Sequence, residues 1–251
     1  EPPTQAPTDA TTEAPTEPET QPTVPEKKIK IYIDQGHNPE NPNAGAEGNG
    51  LREQDITYRV GEELAALLRA NPEFEVRLSR PTPDTELGTS NTTSLQRRVQ
   101  DANAWGADLY YVAHTNAGGG RYSMTMCWGD AASLAMAEIL HKHRKSVSSH
   151  KVVTRKDLYE IRATKMICLY DELFFHDNAE DCKRFHSGGM EQMAEETVRA
   201  LCELLEVTYV PVAEETSNRL YRVQVGAYAK RENALSMVER LKVAGFDAIV
   251  V

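Results

Sequence analysis

The feature that most constrains this chain is the alternation of short apolar strands with amphipathic helical segments between residues 28 and 206. Runs typical of buried strands occur at residues 28–34, 74–79, 108–114, 122–128 and 166–172. Between and after them, helical periodicity occurs at residues 53–70, 93–105, 131–145 and 189–206. This alternation predicts an α/β fold in which a mostly parallel central sheet is flanked by helices.

The two ends of the chain differ in composition from this central part. Residues 1–25 contain almost only Pro, Thr, Glu, Ala and Gln, which cannot bury enough apolar surface to fold, so we expect a disordered Pro/Thr-rich linker. Residues 26–208 are expected to form the main globular domain, and residues 209–218 a polar linker. Residues 219–251 predict a small strand-helix-strand segment, whose helix ends at Gly245.

Charge and hydropathy exclude several classes of partner. The net charge is −10 and no Lys/Arg run or basic stripe is present, so binding to nucleic acid is not expected. No apolar run reaches the length of a membrane span. Thr/Pro-rich spacers are common in exported proteins, and the chain starts at Glu1 without a Met, so we expect a secreted protein of the cell wall or periplasm.

The four cysteines carry no recognisable metal or redox pattern. Cys127, Cys168, Cys182 and Cys202 form no CxxC and no short metal-binding spacing. They are expected to be small buried side chains, and the spacing gives no support for a disulfide.

Chemically useful side chains follow several of the predicted strands. His37 comes directly after the first strand, His114 closes DLYYVAH and Glu172 closes MICLYDE. Ligands of parallel α/β sheets bind at the carboxyl ends of the strands, where these side chains would meet. Glu53 begins the first long helix, and the Gly- and Asn-rich loop before it can fold this carboxylate back toward His37. Glu40 and Glu47 compete with Glu53 for the same position.

Two histidines and one carboxylate with an open fourth position are the ligands of a hydrolytic zinc site. A further carboxylate outside the metal shell would take a proton from water and pass it to a leaving amine. From the spacing alone the alternative stays open that each histidine is a structural residue at a strand end.

Four motifs in order carry a resemblance to a known family. They are IDQGHNPENPNAGAEGNGLRE, LSR, RVQDAN with ADLYYVAHTNAGGG, and LYDELFFHDNAED. Together they resemble the zinc-dependent N-acetylmuramoyl-L-alanine amidases of the family-3 type, over nearly the whole of residues 28–206. The resemblance implies a cell-wall hydrolase that cleaves the amide between N-acetylmuramic acid and the L-alanine of the peptidoglycan stem peptide, with residues 26–208 as its catalytic domain.

The resemblance assigns the functional residues of the family to particular residues of this sequence. The resemblance implies that His37, Glu53 and His114 hold one Zn²⁺ ion and that Glu172, six residues before Asn178, is the catalytic base and acid. Arg80 and Arg98 also match recurrent positions and are interpreted as structural or ion-pairing residues, with substrate contact as the alternative.

Two departures from the family pattern are Asn43, where an Asp is frequent, and Asp171, where an apolar residue is usual. Because side chains alternate along a strand, Asp171 is expected to point away from Glu172.

Further residues are predicted to contact substrate or to lie at the surface. Asn116, followed by small glycines, and His176, four residues past Glu172, are candidates to line the cleft. His150 and His186 are expected to be solvated. Residues 146–164 could pass over the cleft, although their pattern does not decide this.

The C-terminal segment has a resemblance of its own. YRVQVGAY with ENA and GFDAIVV resembles the first half of a SPOR domain, a module that binds peptidoglycan, and Gln224 is the candidate contact. Because only one of two repeats is recognisable, an appendage without affinity for glycan is the alternative.

Two other functions remain open for the whole chain. A non-catalytic peptidoglycan-binding protein would use the same cleft, and a zinc carboxypeptidase or endopeptidase would share the metal chemistry. The residues proposed as ligands and base are all intact, which favours the amidase.

Overall fold

A computed structural model describes residues 27–211, 225–246 and 248–250 of the chain. It divides into two compact units, one ending at Pro211 and one beginning at Val212. The predicted N-terminal linker, most of the second linker and Gln224 lie outside the described residues. No helix of the described part is long and apolar enough to cross a membrane.

The described part of the first unit, residues 27–211, contains eight strands and six helices. In chain order the strands are β1 Ile29–Gln35, β2 Glu47–Gly48, β3 Leu51–Arg52, β4 Phe74–Leu78, β5 Leu109–Asn116, β6 Ser123–Cys127, β7 His150–Thr154 and β8 Ile167–Phe175. The helices are α1 Glu53–Arg69, α2 Asn91–Trp105, α3 Ala131–His143, α4 Tyr159–Ala163, α5 Ala179–Arg184 and α6 Met190–Leu204, and a wide helical turn over Phe185–Gly189 joins the last two.

Six of these strands form the central sheet in the order β4-β1-β5-β8-β6-β7. The pairs from β4 to β8 are parallel, β6 runs antiparallel to β8, and β7 is parallel to β6. β2 and β3 make a separate short hairpin. The predicted α/β class with a mostly parallel sheet and flanking helices is therefore confirmed, and the antiparallel junction is a feature that local periodicity could not show.

Two hydrophobic cores cover the two faces of the sheet. Ile31 and Ile33 of β1 belong to the core that packs against α1, α3 and α6, whereas Tyr32 between them belongs to the core that packs against α2 and α4. Successive side chains of a strand point to opposite faces, so a strand that is apolar on both faces has to lie between two layers. This explains why β1 and β5 are continuous apolar runs.

The observed elements differ from the sequence prediction mainly at their ends. His114 and Glu172 lie inside β5 and β8, which continue to Asn116 and Phe175, instead of closing the strands. β7 and α4 lie within residues 146–164, where the sequence indicated no element.

Two buried ion pairs join the layers. Arg98 of α2 pairs with Asp34 of β1, and Arg144, directly after α3, pairs with Asp171 of β8. All four side chains are at most 1% exposed. Arg144 also donates to the hydroxyl of Thr197 on α6, so this pair connects α3, α6 and the sheet.

The expectation for the cysteines is confirmed, and one of the two expectations for surface histidines is wrong. All four cysteines are buried and free. The His186 residue is exposed as expected. The His150 side chain, by contrast, is 2% exposed, because it packs between the Thr125 hydroxyl at 2.9 Å and the His141 ring at 2.9 Å between Nδ1 atoms.

The second unit contains one described helix, α7 Arg231–Val243. It begins after Lys230, and Gly245 follows it with a φ of +88°, the left-handed conformation in which glycine commonly ends helices. The predicted helix of the C-terminal segment is therefore present. The two predicted strands lie partly outside the described residues, and their described parts, residues 225–228 and 248–250, form no strand.

Candidate metal centre and catalytic cleft

His37 occupies a constrained turn directly after β1. Its φ is +68°, a left-handed conformation that is uncommon for residues other than glycine. Its Nδ1 lies 3.2 Å from the carbonyl oxygen of Asn43, which can only accept, so Nδ1 carries the proton and Nε2 is left to face the site. A fixed tautomer of this kind is typical of histidines that bind metal.

Two buried arginines hold this turn in place. Arg98 donates from Nη2 to the carbonyl oxygen of His37 at 2.6 Å, and Arg80 contacts the same oxygen from Nη1 at 3.4 Å. Arg98 also donates to the carbonyl of Gln35 and pairs with Asp34. The interpretation of Arg80 and Arg98 as structural residues agrees with these contacts, which support the backbone on which the first histidine stands.

The β2–β3 hairpin brings Glu53 close to His37. The hairpin leads into α1, and the amide of Glu53 donates to the carbonyl of Ala46 at 2.9 Å. A Cβ atom at Gly45 would lie 2.7 Å from Cβ of Glu53 and 2.9 Å from Cδ2 of His37, so the close approach of the loop requires glycine. The glycine-rich loop therefore joins the carboxylate to the histidine that precedes it in the chain.

The competing carboxylates of the loop have another partner. Glu40 lies 2.9 Å from Arg52 and Glu47 lies 3.5 Å from the same guanidinium. Of the three carboxylates, Glu53 is the one grouped with His37 and His114.

The three expected ligands meet at the carboxylate of Glu53. Its Oε2 lies 3.0 Å from Nε2 of His37, and its Oε1 lies 3.0 Å from Nδ1 of His114. One donor atom from each residue falls within 4.8 Å of the others. The amide of Thr115 also donates to Oε1 at 2.9 Å. Two imidazole nitrogens, a carboxylate oxygen and a fixed tautomer are a donor set that fits a divalent transition metal such as zinc.

The electrostatics of this group favour an ionised carboxylate. Burial opposes the charge of Glu53, but hydrogen bonds to His114 and His37 outweigh burial and lower the pKa of Glu53. Burial likewise lowers the pKa of His37. For His114, burial also acts to lower the pKa, but the bond to Glu53 and the charge of Glu53 raise it to about 9. Glu53 is therefore held between the two imidazole rings in its ionised form, which is the form in which a carboxylate binds a cation.

Glu172 stands beside this group on the neighbouring strand. His114 of β5 and Glu172 of β8 are direct partners in the parallel ladder. Burial raises the pKa of Glu172 to about 7, with the charge of His114 opposing the shift. Oε2 of Glu172 is buried and has no hydrogen-bond partner among the described residues. A carboxylate that holds or releases a proton near neutral pH suits a general base and acid.

Asp171 points to the opposite face of β8, as its alternation with Glu172 predicted. There it accepts hydrogen bonds from Tyr111 at 2.7 Å and Thr125 at 3.1 Å and pairs with Arg144. This departure from the family pattern therefore belongs to the core and not to the cleft.

The remaining predicted contacts lie in different environments. Asn116 is partly exposed at the end of β5, and its Oδ1 accepts from the amide of Ala117 at 2.8 Å. His176 is 1% exposed, and its Nδ1 lies 2.9 Å from the hydroxyl of Thr115. The structure thus places His176 behind Glu53, through Thr115, instead of on the cleft surface where the sequence placed it.

One wall of the site is formed by a segment in which the sequence indicated no helix or strand. A cavity of about 390 Å³ beside His37 and His114 is also lined by Tyr170 and by residues 157–160. The Tyr170 ring stacks on the His114 imidazole with centroids 4.8 Å apart. The sequence allowed residues 146–164 to pass over the cleft but singled out neither Tyr170 nor Glu160, because the position of Glu160 in this wall depends on the tertiary packing of α4.

Comparisons with known proteins place the chain in a family. Residues 31–203 match the N-acetylmuramoyl-L-alanine amidase family, and residues 194–251 match the SPOR domain. The chain belongs to the N-acetylmuramoyl-L-alanine amidase family. The resemblance to both families seen in the sequence is therefore confirmed.

Relatives of known name agree with this assignment. The chain is 29% identical over 229 residues to the N-acetylmuramoyl-L-alanine amidase CwlM of Bacillus licheniformis. The aligned region covers 89% of this chain and 85% of CwlM. It is 28% identical over 227 residues to the sporulation-specific N-acetylmuramoyl-L-alanine amidase of Bacillus subtilis, with 89% and 84% covered.

Solved structures share the fold. The catalytic domain of CwlV, an amidase of Bacillus (Paenibacillus) polymyxa, superposes with a TM-score of 0.63 at 24% identity, covering 72% of this chain and 99% of that one. An N-acetylmuramoyl-L-alanine amidase of Clostridium difficile 630 superposes with a TM-score of 0.64 at 23% identity, covering 72% and 98%.

Proposed function

We propose that this protein is a zinc-dependent hydrolase of the amide between N-acetylmuramic acid and the L-alanine of peptidoglycan stem peptides. The observation that carries the proposal is the row formed by the Glu53 carboxylate, the His114 ring and the Glu172 carboxylate, with His37 on the other side of Glu53. Family membership supports the bond that is cleaved.

His37, Glu53 and His114 would hold the zinc ion. When bound, zinc acts as a Lewis acid that polarises a carbonyl group and makes water more acidic. Glu172 lies next to this position and outside the three ligands, so its carboxylate is placed to accept a proton from the attacking water. The same carboxyl group then donates that proton to the amine of L-alanine as it leaves. Tyr170 and residues 157–160 would line one side of the space next to His37 and His114.

The C-terminal unit would bring the enzyme to its substrate. The match to the SPOR domain supports binding to peptidoglycan, with Gln224 as a candidate contact. Linking a wall-binding module to the catalytic domain would raise the local concentration of substrate. We infer that the protein acts outside the cytoplasm, at the cell wall, because its substrate is there.

The experiment is mass spectrometry of peptidoglycan fragments after incubation with the zinc-loaded protein and with Glu172→Gln. The wild type is expected to release intact stem peptide with a free L-alanine amine, and the variant to lose this activity by about two to four orders of magnitude while retaining its zinc. Glu47→Gln, a loop carboxylate paired with Arg52, is the matched control and should remain active.

Other results would replace the proposal. Cleavage between amino acids of the stem would identify a peptidase instead. If the wild type bound peptidoglycan but released nothing with zinc present, the protein would be a binding module without catalysis.

A further inference from the structure

One row of side chains crosses four strands through the catalytic position. His114 of β5 is paired with Glu172 of β8, Glu172 is paired with Met124 of β6, and Met124 is paired with Lys151 of β7. Directly paired residues on adjacent strands project to the same face of a sheet. The registers therefore connect the metal site, the catalytic carboxylate and a lysine in a single line.

The packing of the neighbouring row of side chains shows that this row lies on the face of the sheet covered by α2 and α4. Val112, Tyr170 and Met126 are paired in the same way one period back, and all three belong to the core under α2 and α4. Val153, the partner of Met126 on β7, packs against the same core. Because side chains alternate with a period of two, the row that contains Lys151 lies on the same face of the sheet. At the Lys151 end of this row the side chain is exposed.

Lys151 is an available cation. It is exposed, and its Nζ lies 3.5 Å from the centroid of the Tyr122 ring. The Tyr122 ring in turn packs edge-on against Phe175 at 4.9 Å, which fixes the surface below the ammonium group. The lysine ion pairs of the described residues involve other lysines, namely Lys27, Lys142 and Lys242.

The neighbouring cation of β7 differs in this respect. Arg155 follows the strand, and its guanidinium is held by Asp157 through two contacts of 2.8 and 2.7 Å. Arg155 is therefore already paired with a carboxylate, whereas Lys151 has no ion-pair partner among the described residues.

The direction of the substrate follows from the roles of the site residues. The carbonyl group to be attacked has to lie at His37, Glu53 and His114, and the departing amine has to lie at Glu172, which protonates it. The line from carbonyl to amine thus runs from β5 to β8. Continued in the same direction, the peptide passes over Met124 of β6 and reaches β7, while the sugar lies on the opposite side.

We propose that Lys151 is a specificity-determining residue that binds a carboxylate of an acidic stem peptide. Two strand spacings separate Glu172 from Lys151, about 10 Å, and three extended residues span about the same length. The ammonium group therefore meets a carboxylate carried by the second or third residue of the peptide. This inference rests on the proposed amidase function, since that function sets the direction of the peptide.

The test compares two muramyl tripeptides that differ only in charge. One has free carboxylates on its second and third residues, and in the other these groups are amidated. Wild type, Lys151→Gln and Lys151→Arg are measured as zinc-loaded full chains. Lys142→Gln is the matched control, because Lys142 is an exposed lysine of α3 on the other side of the sheet and pairs with Glu203.

We expect wild type to prefer the acidic substrate in kcat/KM. Lys151→Gln should lower kcat/KM for the acidic substrate by roughly tenfold, the effect of losing one hydrogen bond to a charged group, and leave the amidated substrate unchanged. Lys151→Arg should restore most of the preference, and added salt should reduce it. An equal loss on both substrates, or no preference in the wild type, would overturn the proposal.

A binding measurement separates this inference from the proposed function. Dissociation constants are determined for the two tripeptides without the sugar, using the same proteins. If the wild type cleaves neither substrate but binds the acidic peptide more tightly in a Lys151-dependent manner, the amidase function fails and the carboxylate subsite stands. If the peptides bind without any dependence on Lys151, the subsite fails, whatever the cleavage result.

Discussion

At the scale of single residues, the His37 turn depends on Arg98. This side chain supplies the bonds to the carbonyls of His37 and Gln35 and the ion pair with Asp34, so it supports both the fold and the first ligand. A lysine retains the charge but cannot replace a planar group with five donors. Replacing Arg98 with lysine therefore tests whether the geometry of the guanidinium group is needed in addition to its positive charge.

We predict that Arg98→Lys weakens zinc binding by about tenfold, because the His37 turn loses its support. It should also lower the free energy of unfolding by roughly 2 kcal/mol, since buried carbonyl groups are left without a donor. Chelator competition measures the first effect and urea unfolding the second. Arg77→Lys, at a half-exposed pair with Asp101, should change neither. Unaltered zinc affinity in Arg98→Lys would contradict this account.

At the scale of elements, α2 is the helix that presents Arg98, and its start is defined by a capping box. Ser90 accepts from the amide of Thr93, and the Thr93 hydroxyl accepts from the amide of Ser90. Two orphan amide groups are thereby satisfied at the start of the helix.

We predict that Ser90→Ala lowers the free energy of unfolding by about 1 kcal/mol. Thr92→Ala, two residues on in the first turn and outside this box, is the control and should stay within about 0.5 kcal/mol of the wild type. Urea unfolding followed by circular dichroism measures both. Equal effects of the two substitutions would show that the box does not set the start of α2.

At the scale of the whole molecule, the Asp171–Arg144 pair connects α3, α6 and β8 in the centre of the fold. Burial alone would raise the pKa of Asp171, but the charge of Arg144 and the interactions with His150 and Tyr111 together outweigh burial and lower the pKa to about 2. In the unfolded chain the carboxyl group of an Asp has a pKa of about 3.9, so the ion pair contributes its full stabilisation of the fold above that pH. The stability is lost as the pH falls through the folded pKa of about 2.

The expected loss between pH 5 and pH 2 is roughly 2–3 kcal/mol in the free energy of unfolding from this pair. Asp171→Asn should have a shallower pH dependence in this range. At neutral pH it should be less stable by about 3–5 kcal/mol, since Arg144 is left buried without its partner. Urea unfolding at a series of pH values measures both effects, with Asp101→Asn at the surface as control. If the free energy of unfolding of Asp171→Asn depended on pH as steeply as that of the wild type, the assignment of this pH dependence to Asp171 would be refuted.

Most of the larger helices and strands, and the candidate site residues, could be predicted from the sequence alone. The period of the apolar residues gave the α/β class, because alternation and helical spacing depend only on neighbours along the chain. The order of the motifs around His37, Glu53, His114 and Glu172 gave the family, since each motif combines a local turn with a reactive side chain.

Tertiary structure decided which distant residues share a face. The antiparallel pairing of β6 with β8 places Lys151 in the row of Glu172, although nothing near Lys151 in the sequence indicates this. The burial of His150 and His176 and the wall formed by residues 157–160 likewise depend on packing between elements. Strand order and register are set by contacts between residues far apart in the chain, and such contacts leave no period in the sequence.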